Sequence, residues 1–175
     1  MFTPRVPLSE MAKYQKRYKY ADDVNALKAG QKIAAGQATR DNLIEIFDWK
    51  TKGRGRSRIS KNTDDEISDA LILAASARTD RAALAVLLGL RGVAIPVGSA
   101  ILTAVAPERY SIIDFRALWS LSVHPAPVYT VDYYIKYLEY CRATAPSANL
   151  SLRSFDRALW QYSKEHQPAG NEEIE

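Results

Sequence analysis

Residues 90–102 constrain this 175-residue chain more than any other stretch, reading Leu-Arg-Gly-Val-Ala-Ile-Pro-Val-Gly-Ser-Ala-Ile-Leu ahead of Ser111, Ile112, Ile113 and Asp114. Gly92 between two short apolar segments reads as a tight hairpin joining two helices. The first N–H groups of a helix have no intrahelical acceptor and carry partial positive charge, so such a hairpin can aim them at a phosphate. A contact of that kind grips a nucleic-acid backbone with no preference for a base. Asp114, one short helix further on, then becomes a carboxylate able to face whatever nucleotide the hairpin holds.

The remaining sequence reads as helix after helix. Residues 23–35 are periodic and stop at Gly36. Thr39 is placed to cap residues 41–50, with Leu43, Ile44, Ile46 and Phe47 turned inward. Thr63 and Glu66 form a capping box for a helix running to about Ala77 with Ile67, Ala70, Leu71 and Leu73 inside, and Thr79 caps the helix that enters the hairpin. Pro107 closes the helix that leaves it. Thr130 and Ser151 start two carboxy-terminal helices, separated by the breaker Ala145-Pro146-Ser147. No alternating strand pattern and no internal repeat is seen, so the expected fold is all-α: a compact helical domain over residues 1–167, single or in two small lobes wrapped by one chain, with the hairpin at about 84–121. Residues 168–175, rich in glutamate, read as a flexible acidic tail.

With 47% apolar residues the chain can bury a true core, yet no apolar run approaches the roughly 18 residues of a membrane span. Its start lacks the apolar stretch of a signal peptide, which points to the cytoplasm. Cys141 is the one cysteine, so neither an internal disulfide nor a four-cysteine iron–sulfur loop is available. His124, before Pro125-Ala126-Pro127, and His166, near the end of the last helix, have no metal-ligand spacing; the expectation is no cofactor and no metal. The net charge of +4 is unevenly spread. Residues 49–61 carry Lys50, Lys52, Arg54, Arg56, Arg58 and Lys61 without an acid, and Gly53 and Gly55 make the stretch a flexible loop able to follow a phosphate backbone. The bland alternative is a solvated loop balanced by Asp64, Asp65 and Glu66. Residues 13–20 form a second basic run whose interleaved tyrosines can either stack on bases or pin the segment to the core.

Residues 84–121 resemble the helix-hairpin-helix DNA glycosylase superfamily, which includes endonuclease III and the 8-oxoguanine glycosylases. Gly92 and Val93 match the first half of its hairpin pattern; Gly98, Ser99 and Ala100 fit its small-residue helix; and Asp114 stands where its catalytic Asp stands. The resemblance implies DNA as partner, held by Gly92, Val93 and Ala94, no membrane, and hydrolysis of the N-glycosidic bond of a damaged or modified base. Asp114 would stabilise the cationic sugar and orient water while the base is flipped out of the duplex. Three departures mark a divergent member. Ala94 replaces the second hairpin glycine and is strained if that position requires a positive φ. Pro96 stands where bifunctional members carry their Schiff-base lysine, so lyase chemistry is not expected. Phe115 and Arg116 follow the Asp in place of the common Thr-His pair.

Each feature also has a structural reading. An Asp before Phe115 is an ordinary helix cap, worth about 1 kcal/mol. Tyr133, Tyr137 and Tyr140 share one helix face, packing at the margin of a stripe formed by Val131, Ile135 and Leu138. Trp119 and Trp160 read as packing, although Trp49, Phe115 and Trp119, with Phe47 and Tyr110, are available as walls of a base pocket. The function classes are therefore a monofunctional DNA glycosylase of base-excision repair, a non-catalytic nucleic-acid-binding adaptor, and a protein handling free nucleotides or modified bases, as in a bacterial defence system.

Overall fold

The computed structural model describes residues 2–124 and 128–168. Among them every regular element is helical, with no strand. The ten α-helices are α1 (Met11–Arg17), α2 (Ala21–Ala34), α3 (Arg40–Thr51), α4 (Arg56–Ile59), α5 (Asp64–Ser76), α6 (Asp80–Leu87), α7 (Ile95–Val105), α8 (Phe115–Ser120), α9 (Val131–Thr144) and α10 (Leu152–His166). None is long and apolar enough to cross a membrane. The expected acidic tail lies, from residue 169 on, outside the described residues, as does the Pro-Ala-Pro segment 125–127.

The chain divides into two units. One is Tyr20–Tyr110, and the other joins the residues up to Lys19 to those from Ser111 onward. In the first, α7 is the central rod. Every residue from Ile95 to Ala104 except Pro96 is buried, as expected of a helix apolar on all sides. Its neighbours are α2, α3, α5 and α6. The approach of α2 depends on glycine: a Cβ at Gly30 would stand 2.0 Å from the Ala104 carbonyl oxygen, so the two backbones touch. In the second unit, α10 packs against α1, α8 and α9, and buries Phe155, Ala158 and Leu159.

Helix starts follow side-chain caps. The hydroxyls of Thr39, Thr79, Thr130 and Ser151 accept from N–H groups of their first turns, and Thr63 with Glu66 completes the capping box. Three expected faces differ. Leu73 is 55% exposed, because the buried stripe of α5 is Ile67, Ala70, Leu71 and Ala74, which a helix repeat places on one side. Ile44 is only half-buried. On α9 the buried residues are Tyr134, Tyr137, Leu138 and Cys141, so Tyr137 is core, whereas Val131 and Ile135 are half-buried. Phe2 packs edge-on or tilted against Tyr133, Tyr137 and Tyr140, with ring centroids 5.7, 5.8 and 5.3 Å away.

Candidate functional site

In the unit Tyr20–Tyr110, residues 88–94 connect α6 to α7 and turn at Gly92, whose φ of 86° is a conformation L side chains rarely adopt. Space also requires glycine, since a Cβ there would lie 3.0 Å from the Ile59 nitrogen and 3.2 Å from the Arg58 Cβ. The turn therefore rests directly on α4. Asn62, 3% exposed, fastens the two together. Its Oδ1 accepts from the Arg91 N–H at 2.8 Å, and its Nδ2 donates to the Arg91 carbonyl at 3.0 Å and the Ile59 carbonyl at 2.8 Å. Val93 is buried beside Gly98, while Ala94 is exposed and extended, with φ −96°. Ala94 consequently carries none of the strain expected for a second glycine position. Among the described residues, the N–H groups of Gly92 and Ala94 have no protein acceptor.

The basic stretch is not the flexible loop expected of it. Lys50 belongs to the last turn of α3, Lys52 ends that helix with φ 55°, Gly53 and Gly55 turn the chain with φ 79° and 81°, and α4 is anchored by the fully buried Ile59. The glycines shape a tight turn here, and the isoleucine fixes it to the core. Nor are the six cations equivalent. Lys52 pairs with Asp22 at 3.1 Å, Arg56 pairs with Asp48, and Arg54 donates from Nε to the Thr51 carbonyl at 3.2 Å. The side chains of Arg58 and Lys61 are exposed and have no hydrogen-bond or ion-pair partner among the described residues. Two of the three acids expected to balance the stretch face other bases: Asp64 meets Arg40 at 2.6 Å and Glu66 meets Arg91 at 3.2 Å. The Thr63 N–H and Arg91 hold the Glu66 carboxyl below its usual range. Trp49, on α3, is half-buried.

Asp114 belongs to the other unit. It is extended, 6% exposed, and its Oδ1 accepts from the Ala117 N–H at 2.9 Å, capping α8. The segment leading to it is clamped by residues that sequence reasoning missed or placed elsewhere. The Tyr134 hydroxyl donates to the Ser111 carbonyl at 3.2 Å, and that of Tyr137 to the Ile112 carbonyl at 2.8 Å. Oδ1 of the buried Asp156 accepts from Ser111 Oγ at 3.0 Å and the Ile112 N–H at 3.1 Å, and its Oδ2 pairs with Arg153. Burial raises the Asp156 pKa, the Arg153 guanidinium opposes the rise, and the Asp114 charge adds to it. Burial also pushes the Cys141 thiol up to about 12. The available signal was an Arg and an Asp three residues apart on the apolar side of α10, where an unpaired charge is costly. Phe115 lies beneath the Arg116 guanidinium at 5.0 Å. Trp119 is buried between the Arg5 guanidinium, 4.5 Å from its ring, and Tyr162, whose ring centroid is 5.9 Å away.

Thus Gly92, Arg58 and Lys61 share one unit with Trp49, while Asp114, Phe115 and Trp119 belong to the other. An open depression of about 600 Å³ in the first unit is lined by residues that include Lys32, Gln37, Asp41, Asn42 and Ser68, and by none of the catalytic, DNA-binding or base-pocket residues expected from the sequence. Among the described residues no group of three His, Cys, Asp or Glu side chains could hold a metal ion. No protein-family model matches the chain, and neither a curated protein nor a solved structure matches it.

Proposed function

We propose that this chain binds DNA through the phosphate backbone, as a helix-hairpin-helix protein of the glycosylase type, and that Asp114 serves hydrolysis of an N-glycosidic bond. One observation carries the binding half. Two stretches about thirty residues apart, each legible as a phosphate contact, meet where Gly92 rests on α4 and Asn62 joins them. Unsatisfied N–H groups at Gly92 and Ala94, with the exposed Arg58 against Gly92 and the exposed Lys61 next to Asn62 in sequence, are groups suited to a polyanion. Chemistry at Asp114 rests on the resemblance of residues 84–121 alone.

The adaptor reading is favoured by a specific observation: Asp114 is nearly buried and one of its oxygens is already committed to capping α8. A single experiment separates the two. Duplexes carrying a panel of damaged bases are incubated with native protein and with Asp114→Asn, treated with alkali, and examined for cleavage at abasic sites. Release that vanishes in the variant supports the glycosylase. Binding without release supports the adaptor, and duplex affinity unchanged by Arg58→Ala with Lys61→Ala removes the proposed surface.

A further inference from the structure

The basic run at residues 13–20 plays no part in the proposal above, and two of its three tyrosines have opposite fates. Tyr14 is buried on α1, edge-on to Tyr162 at 5.0 Å. Tyr18, just past the end of α1, is partly exposed and meets the partly exposed Trp160 of α10 edge-on, with centroids 5.6 Å apart. Four cations gather on these two rings. Arg153 and Arg157 stand 5.9 and 5.6 Å from the centre of Tyr18, and Arg116 and Lys164 stand 5.5 and 5.2 Å from that of Trp160. Of these cations Arg153 pairs with Asp156, which also accepts from Ser111, and the other acid of α10, Glu165, pairs with Arg17 at 2.9 Å. Lys16 and Lys19, both exposed, flank Tyr18 in sequence.

We infer that the Tyr18–Trp160 cluster is a binding site for single-stranded nucleic acid, in which Arg116, Arg157 and Lys164 contact phosphates and the two rings receive unpaired bases. Cations held against partly exposed aromatic rings supply the two elements such sites combine, a charge track for the backbone and flat surfaces on which any base can stack. A paired duplex presents no base face to these rings, so the preference is for an open strand. The surface belongs to the unit that carries Asp114, with Arg116 two residues beyond it, but the inference does not depend on catalysis there.

The test is fluorescence anisotropy of a labelled oligothymidylate of about 12 nucleotides, a length within the range single-strand sites cover. Native protein binds it, and Trp160→Leu or Tyr18→Leu weakens it about tenfold, the loss of one stacked base, while duplex affinity stays within about twofold. Arg116→Ala with Lys164→Ala, which leaves both rings in place, keeps the inference testable should the aromatic variants not fold; each lost phosphate contact lowers the salt slope by about 0.7. Arg58→Ala with Lys61→Ala leaves single-strand binding unchanged, so failure of the duplex surface and failure of this one are read separately. Absence of oligothymidylate binding, equal competition by an oligoglutamate of the same charge, or equal competition by thymidine monophosphate overturns the inference, the last assigning the cluster to a free nucleotide.

Discussion

Gly92→Ala, compared with Gly36→Ala, separates the two demands made on the glycine at the candidate interface. Both glycines have positive φ, 86° and 91°, but a Cβ at Gly36 meets nothing within 4 Å, whereas one at Gly92 meets the Ile59 nitrogen at 3.0 Å. Holding alanine in the left-handed region costs about 1–2 kcal/mol, and the lower entropy of the unfolded alanine chain returns about 0.4–1 kcal/mol of stability to whatever native state can tolerate it. Gly36→Ala is therefore expected to lose about 1 kcal/mol. Gly92→Ala bears the same conformational cost and must also push α4 away, an overpacking term of about 1–3 kcal/mol, for a total near 2–4 kcal/mol. Urea unfolding followed by circular dichroism measures both, and the Gly92 variant is also expected to bind duplex more weakly. Equal losses for the two variants would refute the claim that the turn rests on α4.

Gly30→Ala should be still more damaging, at least about 3 kcal/mol or loss of folded protein, because its Cβ would enter the Ala104 carbonyl rather than a side chain that can turn aside; thermal unfolding reads it. Asp114→Ala is expected to cost about 1 kcal/mol through the lost cap of α8, and Asp114→Asn much less, since asparagine caps equally well; a large loss in both variants contradicts a simple capping role. The Cys141 thiol, fully buried with its pKa pushed up to about 12, should resist a disulfide reagent in native protein and react on unfolding. Its proton is held more tightly folded than unfolded, so this contribution to stability is complete below its ordinary value and is lost as pH rises toward about 12, at most about 1.4 kcal/mol per unit. Cys141→Ala should flatten that part of the stability profile.

Helix starts were legible in the sequence because a cap is a local device: Thr39, Thr63, Thr79, Thr130 and Ser151 each sit within three residues of the N–H they satisfy. Helix faces were legible only where spacing was followed strictly. Ile67, Ala70, Leu71 and Ala74 make an unbroken stripe that leaves Leu73 outside it, however apolar that residue is. What escaped the sequence is contact across long separations. Nothing local says that Asn62 holds Arg91, or that Asp156 reaches back to Ser111 and Ile112 to steady the approach to Asp114. Both Asn62 and Asp156 are buried polar residues whose hydrogen bonds are met.

The same distinction governs charge, and duplex binding can measure it. Counted along the sequence, residues 49–61 offer six cations to a phosphate backbone. Counted on the surface, Lys52 and Arg56 face Asp22 and Asp48, and Arg58 and Lys61 are the two exposed cations of that stretch whose side chains have no partner among the described residues. Each phosphate neutralised contributes about −0.9 to the slope of log affinity against log salt for duplex DNA, so six contacts predict a slope near about −5 and two a slope near about −2. The structure favours the shallower value. Arg58→Ala with Lys61→Ala should then remove most of the slope, whereas Lys52→Ala and Arg56→Ala, which release Asp22 and Asp48, should change it little by direct contact. A native slope near −5 that falls by about one for each of the six substitutions would mean that the ion pairs open to meet the backbone, and that the stretch acts with its full sequence charge after all.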